Sequence, residues 1–502
     1  MLPGARLLAL AAAVVFAAAC RRAPPLASET LALAVHADVT GIFPNPPIQN
    51  ETYTTFVNRN IFEGLVGFDR HLRIEPGLAA RWESPDDRTT ICHLRPGVRF
   101  SNGEPVVAED VVASLRAARE RGWITRDYLQ AIESVVALDA TRVRVRTRNP
   151  YPVLPTRLPW GFVLPASALQ SSPVPPIGTG PYVLAGWTPG KEISFRRNAH
   201  YRGRPPDFPL ARFVVVPDAA ARIERLLRGE ADVIDQVPLE SVAELESQPA
   251  VRVIVRPSLL VLFVGFRVDE PPFSDPRVRE AVDLALDRSE IIRRALGGHG
   301  DPASQLVPRP IVGYDPTIKP TVPDRARARA LLAAAGYPKR LPIRLDGPSN
   351  RYANGLEILA EVARQLAEVG IDAEINALDK REFFPLIMRG QSKLYLFGWA
   401  CGSGEAGDTL DALFRSPAGG AGGTYNTFGV ADLELDRLID DSNQKSGAER
   451  AVRLRAAISR VHQLRPLIPL LVQREAMAVS RRVEWDPPLN LAIRLEDIRA
   501  AR

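Results

Sequence analysis

At 502 residues, the chain is longer than one ordinary hydrophobic core supports, so its length predicts two or three packed units. Its hydrophobic fraction of 46% and aromatic fraction of 7% are typical of a globular protein and exclude an intrinsically disordered one. The net charge of +6 arises from basic residues that are dispersed among acidic ones. A nucleic-acid surface needs clustered Lys and Arg with aromatic residues, so we expect no nucleic-acid partner.

The first 20 residues have the pattern of an export signal. Arg6 is followed by an apolar stretch from Leu7 to Ala19, which is too short to span a membrane stably. A Cys directly after small residues resembles a bacterial lipoprotein signal, although Ala17 stands where such signals usually carry Leu. We therefore expect Cys20 to be acylated and residues 21–29 to form a tether. Export without lipidation and a retained membrane anchor are the alternatives.

The most informative local pattern lies between Gly77 and Val112. Before it, Thr30 to Val35 predicts an opening strand. Within it, Arg95-Pro96-Gly97 predicts a turn that joins two short strands, because Pro and Gly suit the two corners of a type II turn. Ser101-Asn102-Gly103 predicts a second turn, and a helix is predicted from about Ala108. Taken alone, the pattern indicates a hairpin followed by a helix.

The second half of the chain predicts alternating strands and helices. Leu259 to Phe266 is nearly continuous in apolar residues, as in a strand that is buried on both faces. Ser274-Asp275-Pro276 predicts the start of a helix. Further helices are predicted after Asp324 and Asn354, each followed by a strand. This βαβ rhythm is typical of an α/β fold.

Several motifs occur in the order and spacing of a known family. They are GLAARWESPDDRTTICHLRPGVRFSNGEPVVAEDVV from Gly77, IGTGPY from Ile177, Asn198 with Tyr201, GEAD from Gly229, and PFSDPRVREAVDLALDR from Pro272. Together they resemble the extracytoplasmic solute-binding proteins of the oligopeptide/dipeptide-binding family, which serve ABC importers. The resemblance extends from about residue 30 to the end of the chain.

The resemblance implies an α/β fold of the two-lobe periplasmic-binding-protein type, with hinged lobes and an extra α/β subdomain inserted in the first lobe. Lobe I is expected to contain residues 30–45, 173–257 and 477–502. The inserted subdomain is expected at 46–172 and lobe II at 258–476.

Catalytic patterns are missing from the sequence. Ser403 lacks the Gly two residues before it that a nucleophile elbow requires. There is no HExxH, no phosphate-binding loop and no dinucleotide fingerprint. We therefore expect no enzyme activity, no cofactor and no metal site. The alternative hypothesis is a hydrolase that uses Glu405 or Asp408. Cys92 and Cys401 are expected to be two free thiols.

The candidate ligand contacts follow partly from the strand ends and partly from the resemblance. Trp399, just past the predicted strand Leu394 to Phe397, is expected to form a wall of the cleft, with packing near the hinge as its alternative. Peptide binders that this segment resembles carry Asp three residues after that Trp, where it holds the α-ammonium of the peptide. This chain has Gly402 there. Either Glu405 or Asp408 takes over that role, or the ligand has no free α-amine; a solvated surface role for both acids is the alternative.

Two further segments complete the candidate site. Arg351-Tyr352 follows a predicted strand, in a position where dipeptide-binding members place an Arg for the ligand carboxylate. Tyr425-Asn426 resembles another cleft segment of the family. His36, near the end of the first strand, is more simply a solvated or core residue than a ligand contact.

These observations predict a monomeric, lipid-anchored receptor in the periplasm or on the outer face of the cell membrane. It is expected to bind oligopeptides or dipeptides between its lobes and to deliver them to an ABC permease and ATPase complex by hinge closure. A receptor for a nickel chelate, an oligosaccharide or an opine is the alternative within the class. A surface lipoprotein with a chaperone-like role is the alternative outside it.

Overall fold

A computed structural model of the protein describes residues 29–44, 52–121, 129–416 and 423–501. The predicted export signal, the acylated Cys20 and all but the last residue of the predicted tether lie outside the described residues. None of the described helices is both long and apolar enough to cross a membrane.

The strands of the described residues are numbered in chain order. They are β1 Thr30–Val35, β2 Val66–Phe68, β3 Ile74–Pro76, β4 Ala79–Asp86, β5 Thr89–Leu94, β6 Ile132–Asp139, β7 Arg142–Thr147, β8 Tyr182–Thr188, β9 Glu192–Arg197, β10 Leu210–Val215, β11 Val233–Ile234, β12 Val251–Phe266, β13 Gly300–Pro302, β14 Leu341–Pro348, β15 Ile371–Leu378, β16 Leu394–Ala400, β17 Leu467–Ser480, β18 Val483–Glu484 and β19 Arg499–Ala500.

The α-helices are numbered in the same way. They are α1 Thr52–Asn58, α2 Ala108–Glu120, α3 Ala219–Leu227, α4 Val242–Glu246, α5 Pro276–Ala285, α6 Arg288–Leu296, α7 Arg325–Ala334, α8 Gly355–Ala367, α9 Lys380–Met388, α10 Ala406–Leu413, α11 Leu433–Asn443 and α12 Gly447–Leu464.

One large sheet runs through the molecule in the order β15-β14-β16-β12-β17-β11-β1-β10-β9-β8, with β13 paired to β17. β12 and β17 are long antiparallel partners at its centre, and their register is interrupted between Pro257 and Val261. On one side of the interruption, β12 joins the lobe that contains β14, β15 and β16. On the other side, β17 joins β11 and β1. These two strands therefore connect the two halves of the molecule.

The apolar cores divide in the same place. One core consists of residues from 259–472 together with Leu72. Two others draw on 31–254 and 476–498. We call the first half lobe II and the second lobe I. A separate sheet, in the order β4-β5-β7-β6, packs against α2 and forms the subdomain inserted in lobe I.

The predicted fold class, a two-lobe α/β protein with an inserted subdomain, is confirmed. The expected boundaries at 257 and 476 fall inside β12 and β17, and the exact limits of the domains stay a prediction.

Local signals account for several element ends. The Asp275 carboxylate accepts from the Arg277 N–H at 2.9 Å, and Pro276 occupies the first turn of α5. The Asp324 carboxylate caps α7 in the same manner, through the Arg327 N–H at 2.9 Å. The hairpin predicted around Arg95-Pro96-Gly97 is wrong. Residues 87–88 connect the paired strands β4 and β5, and Arg95-Pro96-Gly97 comes after β5. The segment after this turn forms only an isolated bridge, because the edges of β5 are already taken by β4 and β7.

Candidate functional site

Among the described residues, a cavity of about 880 Å³ between the lobes lies over the crossing strands; we call it the larger cavity. Its lobe I wall includes His36, Asp235 and Glu475, and its lobe II wall includes Arg351 and Gly402. A cavity of this size, with walls from both lobes, has the dimensions of a small-molecule site.

A smaller cavity of about 530 Å³ separates the inserted subdomain from lobe II. The subdomain contributes Arg157 to its wall, and lobe II contributes Trp399, Asp408 and Tyr425. Ala400, the last residue of β16, borders both cavities, so both adjoin the end of this strand.

Arg351 and Tyr352 lie together on the larger cavity, between β14 and α8. Tyr352 is buried, and its hydroxyl oxygen accepts the Gly398 N–H at 2.8 Å. Burial raises the pKa of Tyr352 to about 12, so the phenol remains protonated. The guanidinium carbon of half-buried Arg351 lies 5.5 Å from the centre of the Tyr352 ring. The ring thus supports a cation that faces the cavity.

Trp399 and Tyr425 form an aromatic wall of the smaller cavity. Their ring centres are 5.4 Å apart, and the Trp399 Nε1–H donates to the Thr409 hydroxyl at 3.1 Å. Trp399 was expected just beyond its strand, but it lies within β16. The strand is longer because its pairing with β12 continues through Trp399 opposite Val261 and Ala400 opposite Leu260.

Gly402 lies against an indole from the other lobe. A Cβ atom built on Gly402 would lie 3.5 Å from Cζ2 and Cη2 of Trp160, which belongs to the inserted subdomain. The guanidinium carbon of Arg59 lies 4.5 Å from the centre of the Trp160 ring. The place where the resemblance expects a carboxylate is therefore flanked by an aromatic ring with a cation beyond it.

Glu405 and Asn426 line neither cavity. Arg450 binds both Glu405 carboxylate oxygens, with distances of 2.8 and 2.7 Å. Burial favours a raised pKa for Glu405, but Arg450 and Arg157 outweigh it and hold that pKa below its usual range. The Asn426 amide bridges the Val430 carbonyl at 2.7 Å and the Val430 N–H at 3.1 Å. Both side chains therefore brace lobe II, and a ligand-binding role for either stays an untested prediction.

Asp408 is half-buried and lines the smaller cavity. Its Oδ1 accepts the Thr409 N–H at 2.8 Å, and the Cys401 thiol lies 3.8 Å away. Burial raises the pKa of Asp408, although Arg157 opposes that shift. Of the two acids predicted to replace an Asp at position 402, only Asp408 faces a cavity.

Several cavity residues were not predicted from the sequence. Arg157 lies between two short 3₁₀ turns, where nothing in the local pattern distinguishes it. Glu475 lies on β17, and burial raises its pKa while Ser258 opposes the shift. His36 was expected to have a solvated or core role. Its Nδ1 lies 2.7 Å from Asp235 Oδ2, and the residue lines the larger cavity, so its role stays a prediction.

Among the residues that the structure describes, no cluster of His, Cys, Asp or Glu side chains could hold a metal ion. Cys92 and Cys401 are both buried free thiols in different lobes, as expected.

Residues 73–421 match the family described as bacterial extracellular solute-binding proteins, family 5 Middle. This match covers more than half of the chain, and the chain therefore belongs to the family 5 solute-binding proteins, the extracytoplasmic binding components of ABC transport systems. The expected family is thereby confirmed.

The matches to individual relatives extend over nearly the whole length of this chain and of each relative. The glutathione-binding protein GsiB of Shigella boydii serotype 4 is 28% identical over 499 residues, which is 95% of this chain and 94% of the relative. The binding protein AgaA of A. tumefaciens R10, solved in complex with agropinic acid, is 25% identical with a TM-score of 0.83. That match covers 94% of this chain and 99% of AgaA.

A third relative supports the fold alone. The periplasmic binding protein DppA of Helicobacter pylori, solved with the peptide STSA, is 23% identical with a TM-score of 0.83. The match covers 94% of this chain and 98% of DppA.

Proposed function

We propose that this protein is a lipid-anchored, monomeric receptor that binds a short peptide or peptide-like solute between its lobes and delivers it to an ABC permease. The observation that carries the proposal is Arg351, which faces the larger interlobe cavity. Its position is the one where the resemblance expects the partner of a ligand carboxylate. A guanidinium suits that role because its paired N–H groups match both carboxylate oxygens.

The amine of the ligand needs a partner other than residue 402. A buried ammonium without a carboxylate costs several kcal/mol, which is about a hundredfold or more in affinity. Asp408 is the better candidate, because it lines a cavity while Arg450 occupies both oxygens of Glu405. Trp399 and Tyr425 supply the apolar wall beside it.

Delivery depends on closure of the lobes. The turn after β2 already reaches lobe II, since a Cβ on Gly404 would lie 2.7 Å from the Leu72 carbonyl oxygen. Arg157 also reaches across, with its terminal nitrogen 3.3 Å from Glu405 Oε1. A ligand that contacts both lobes favours this closed arrangement over an open one.

A non-peptide solute, such as an opine, is the second candidate. Gly402 favours it, because the ammonium partner of peptide binders is missing there. AgaA, which is 25% identical, was solved with agropinic acid. A chaperone-like lipoprotein would instead bind peptides weakly and without discrimination.

Isothermal titration calorimetry tests the proposal on protein that lacks residues 1–20 and has been unfolded and refolded to remove bound ligand. The panel contains di- and tripeptides, the same peptides with a C-terminal amide, a nickel–histidine chelate and an opine. We expect micromolar or tighter binding of at least one peptide-type solute. Amidation of its C-terminal carboxylate should weaken that binding by about tenfold or more.

Arg351→Gln should remove this preference for the free carboxylate. Arg474→Gln is the matched control, because Arg474 lines the same cavity but is paired with Asp301 at 3.2 Å. Binding of the chelate or the opine alone would reject the peptide assignment. Equally weak binding of every peptide would favour the chaperone-like role.

A further inference from the structure

The smaller cavity contains a buried cation whose hydrogen-bonding capacity is only partly used. Arg157 is 2% exposed, and its Nε–H donates to the Tyr151 hydroxyl at 3.2 Å. Neither terminal nitrogen of Arg157 makes a hydrogen bond to any residue that the structure describes. One of them lies 3.3 Å from Glu405 Oε1, but Arg450 already binds that oxygen at 2.7 Å.

This arrangement is costly without a ligand. A guanidinium carries five N–H donors, and leaving buried donors unsatisfied costs free energy. Arg157 lines the cavity, and the unused donors of its two terminal nitrogens suit an anionic group that carries two oxygens. A carboxylate matches that fork in shape and charge.

The other charges of the cavity wall narrow the choice of ligand. Arg415 is already bound by Asp411 at 2.8 Å and by Asp440 at 2.7 Å. Arg148 is exposed at the rim. Asp436 accepts the Ser416 N–H at 2.9 Å. Asp408 on the lobe II wall is therefore the acid that we pair with Arg157 on the subdomain wall, and the cavity offers a cation from one wall and an anion from the other.

We propose that the smaller cavity binds an α-amino-acid end that carries a free carboxylate and a free ammonium, with the carboxylate on Arg157 and the ammonium on Asp408. The proposal rests on the function proposed above and names the substrate class more closely. The first residue of an ordinary linear peptide offers only the ammonium, because its carboxyl group is part of an amide. A peptide that is linked through the side chain of its first residue offers both groups.

Three probes test the proposal by calorimetry: γ-glutamylalanylglycine, the same compound with its α-carboxylate converted to an amide, and α-linked glutaminylalanylglycine, whose first residue carries no free carboxylate. Wild-type protein should bind the first compound about tenfold or more tightly than the other two. In Arg157→Gln, the difference between the free acid and its amide should shrink to about twofold or less. A purely structural role of Arg157 would weaken both compounds equally.

Arg148→Gln is the matched control, because Arg148 lines the same cavity from its rim and should leave the preference unchanged. If Arg157→Gln does not fold, Arg157→Lys, which keeps the charge and loses the fork, should show a reduced preference. Equal affinity of wild-type protein for the acid and its amide would overturn this inference and leave the peptide receptor standing. Failure of all three probes and of every other peptide would overturn both.

Discussion

The ion pair between Glu405 and Arg450 provides a sharp test of how the site is supported. The two side chains are 10% and 4% exposed, and two hydrogen bonds of 2.7 and 2.8 Å join them. Arg450 also donates to the Ser442 carbonyl, so it ties α12 to the end of α11 and to the start of α10. We predict that Arg450→Met destabilises lobe II by leaving a buried carboxylate with Arg157 as its remaining charged partner.

The expected magnitude follows from the burial. Removing one partner of a buried ion pair typically costs about 3–5 kcal/mol. In a unit of about 200 residues, each kcal/mol shifts the melting temperature by about 2–4 °C. Arg450→Met should therefore lower the melting temperature by roughly 6–20 °C. The control Arg340→Met breaks a pair with Asp372 that is 74% and 53% exposed, which should cost about 1 kcal/mol or less.

Urea unfolding and calorimetric melting of the ligand-free protein measure both effects. Because the folded pKa of Glu405 lies below its value of 4.5 in the unfolded chain, its contribution is present above pH 4.5. It is lost as the pH falls through the folded pKa. The difference between wild type and Arg450→Met should shrink accordingly in acid. Equal melting temperatures near neutral pH would refute the assignment of Glu405 to a structural pair.

Three further predictions concern the cavity and its surroundings. Gly402→Asp should strengthen binding of linear peptides with a free α-amine by about tenfold or more in calorimetry, because it supplies a carboxylate for the ammonium. The site tolerates the change, since the new Cβ would lie 3.5 Å from Trp160. Gly402→Asn is the neutral control, and equal peptide affinities of the two variants would contradict the reasoning. Affinity for amine-bearing ligands should fall in acid as the pH approaches the raised pKa of Asp408, since a protonated carboxyl group no longer pairs with an ammonium. Asp408→Asn should abolish that pH dependence of the affinity. Burial raises the pKa of Cys92 to about 12 and that of Cys401 well above its usual value. Neither thiol should therefore react with an aromatic disulfide until the protein is unfolded. Rapid labelling of the native protein would contradict this burial.

The parts of the fold that the sequence predicted depend on short-range signals. The cap and first turn of α5 follow from Asp275 and Pro276, which act within one helical turn. The start of α2 at Ala108 has a different local signal, since the carboxylate of Asp110 in the first turn reaches back to accept the Val107 N–H at 2.9 Å. The two-lobe architecture was predicted from the resemblance, because no local pattern reports how distant strands pair.

What the sequence did not predict depends on contacts between distant segments. Glu405 and Asp408 are two acids in one loop, and no local feature shows which of them faces a cavity. The difference comes from Arg450, which is 45 residues further along the chain and occupies Glu405. Arg157 reaches the same place from the inserted subdomain. Likewise, Trp160 approaches Gly402 only because the lobes come together, so sequence alone could report a missing carboxylate but not the indole beside it.

Native mass spectrometry is the most direct test of the central claim, that the interlobe cavities hold a solute with amino-acid groups. Protein that lacks residues 1–20 is purified gently from its own cell envelope, weighed intact, and then denatured so that any bound ligand can be sequenced by fragmentation. We predict one or a few small ligands that contain a free carboxylate and a free ammonium. A bound sugar or metal chelate without these groups would contradict the account.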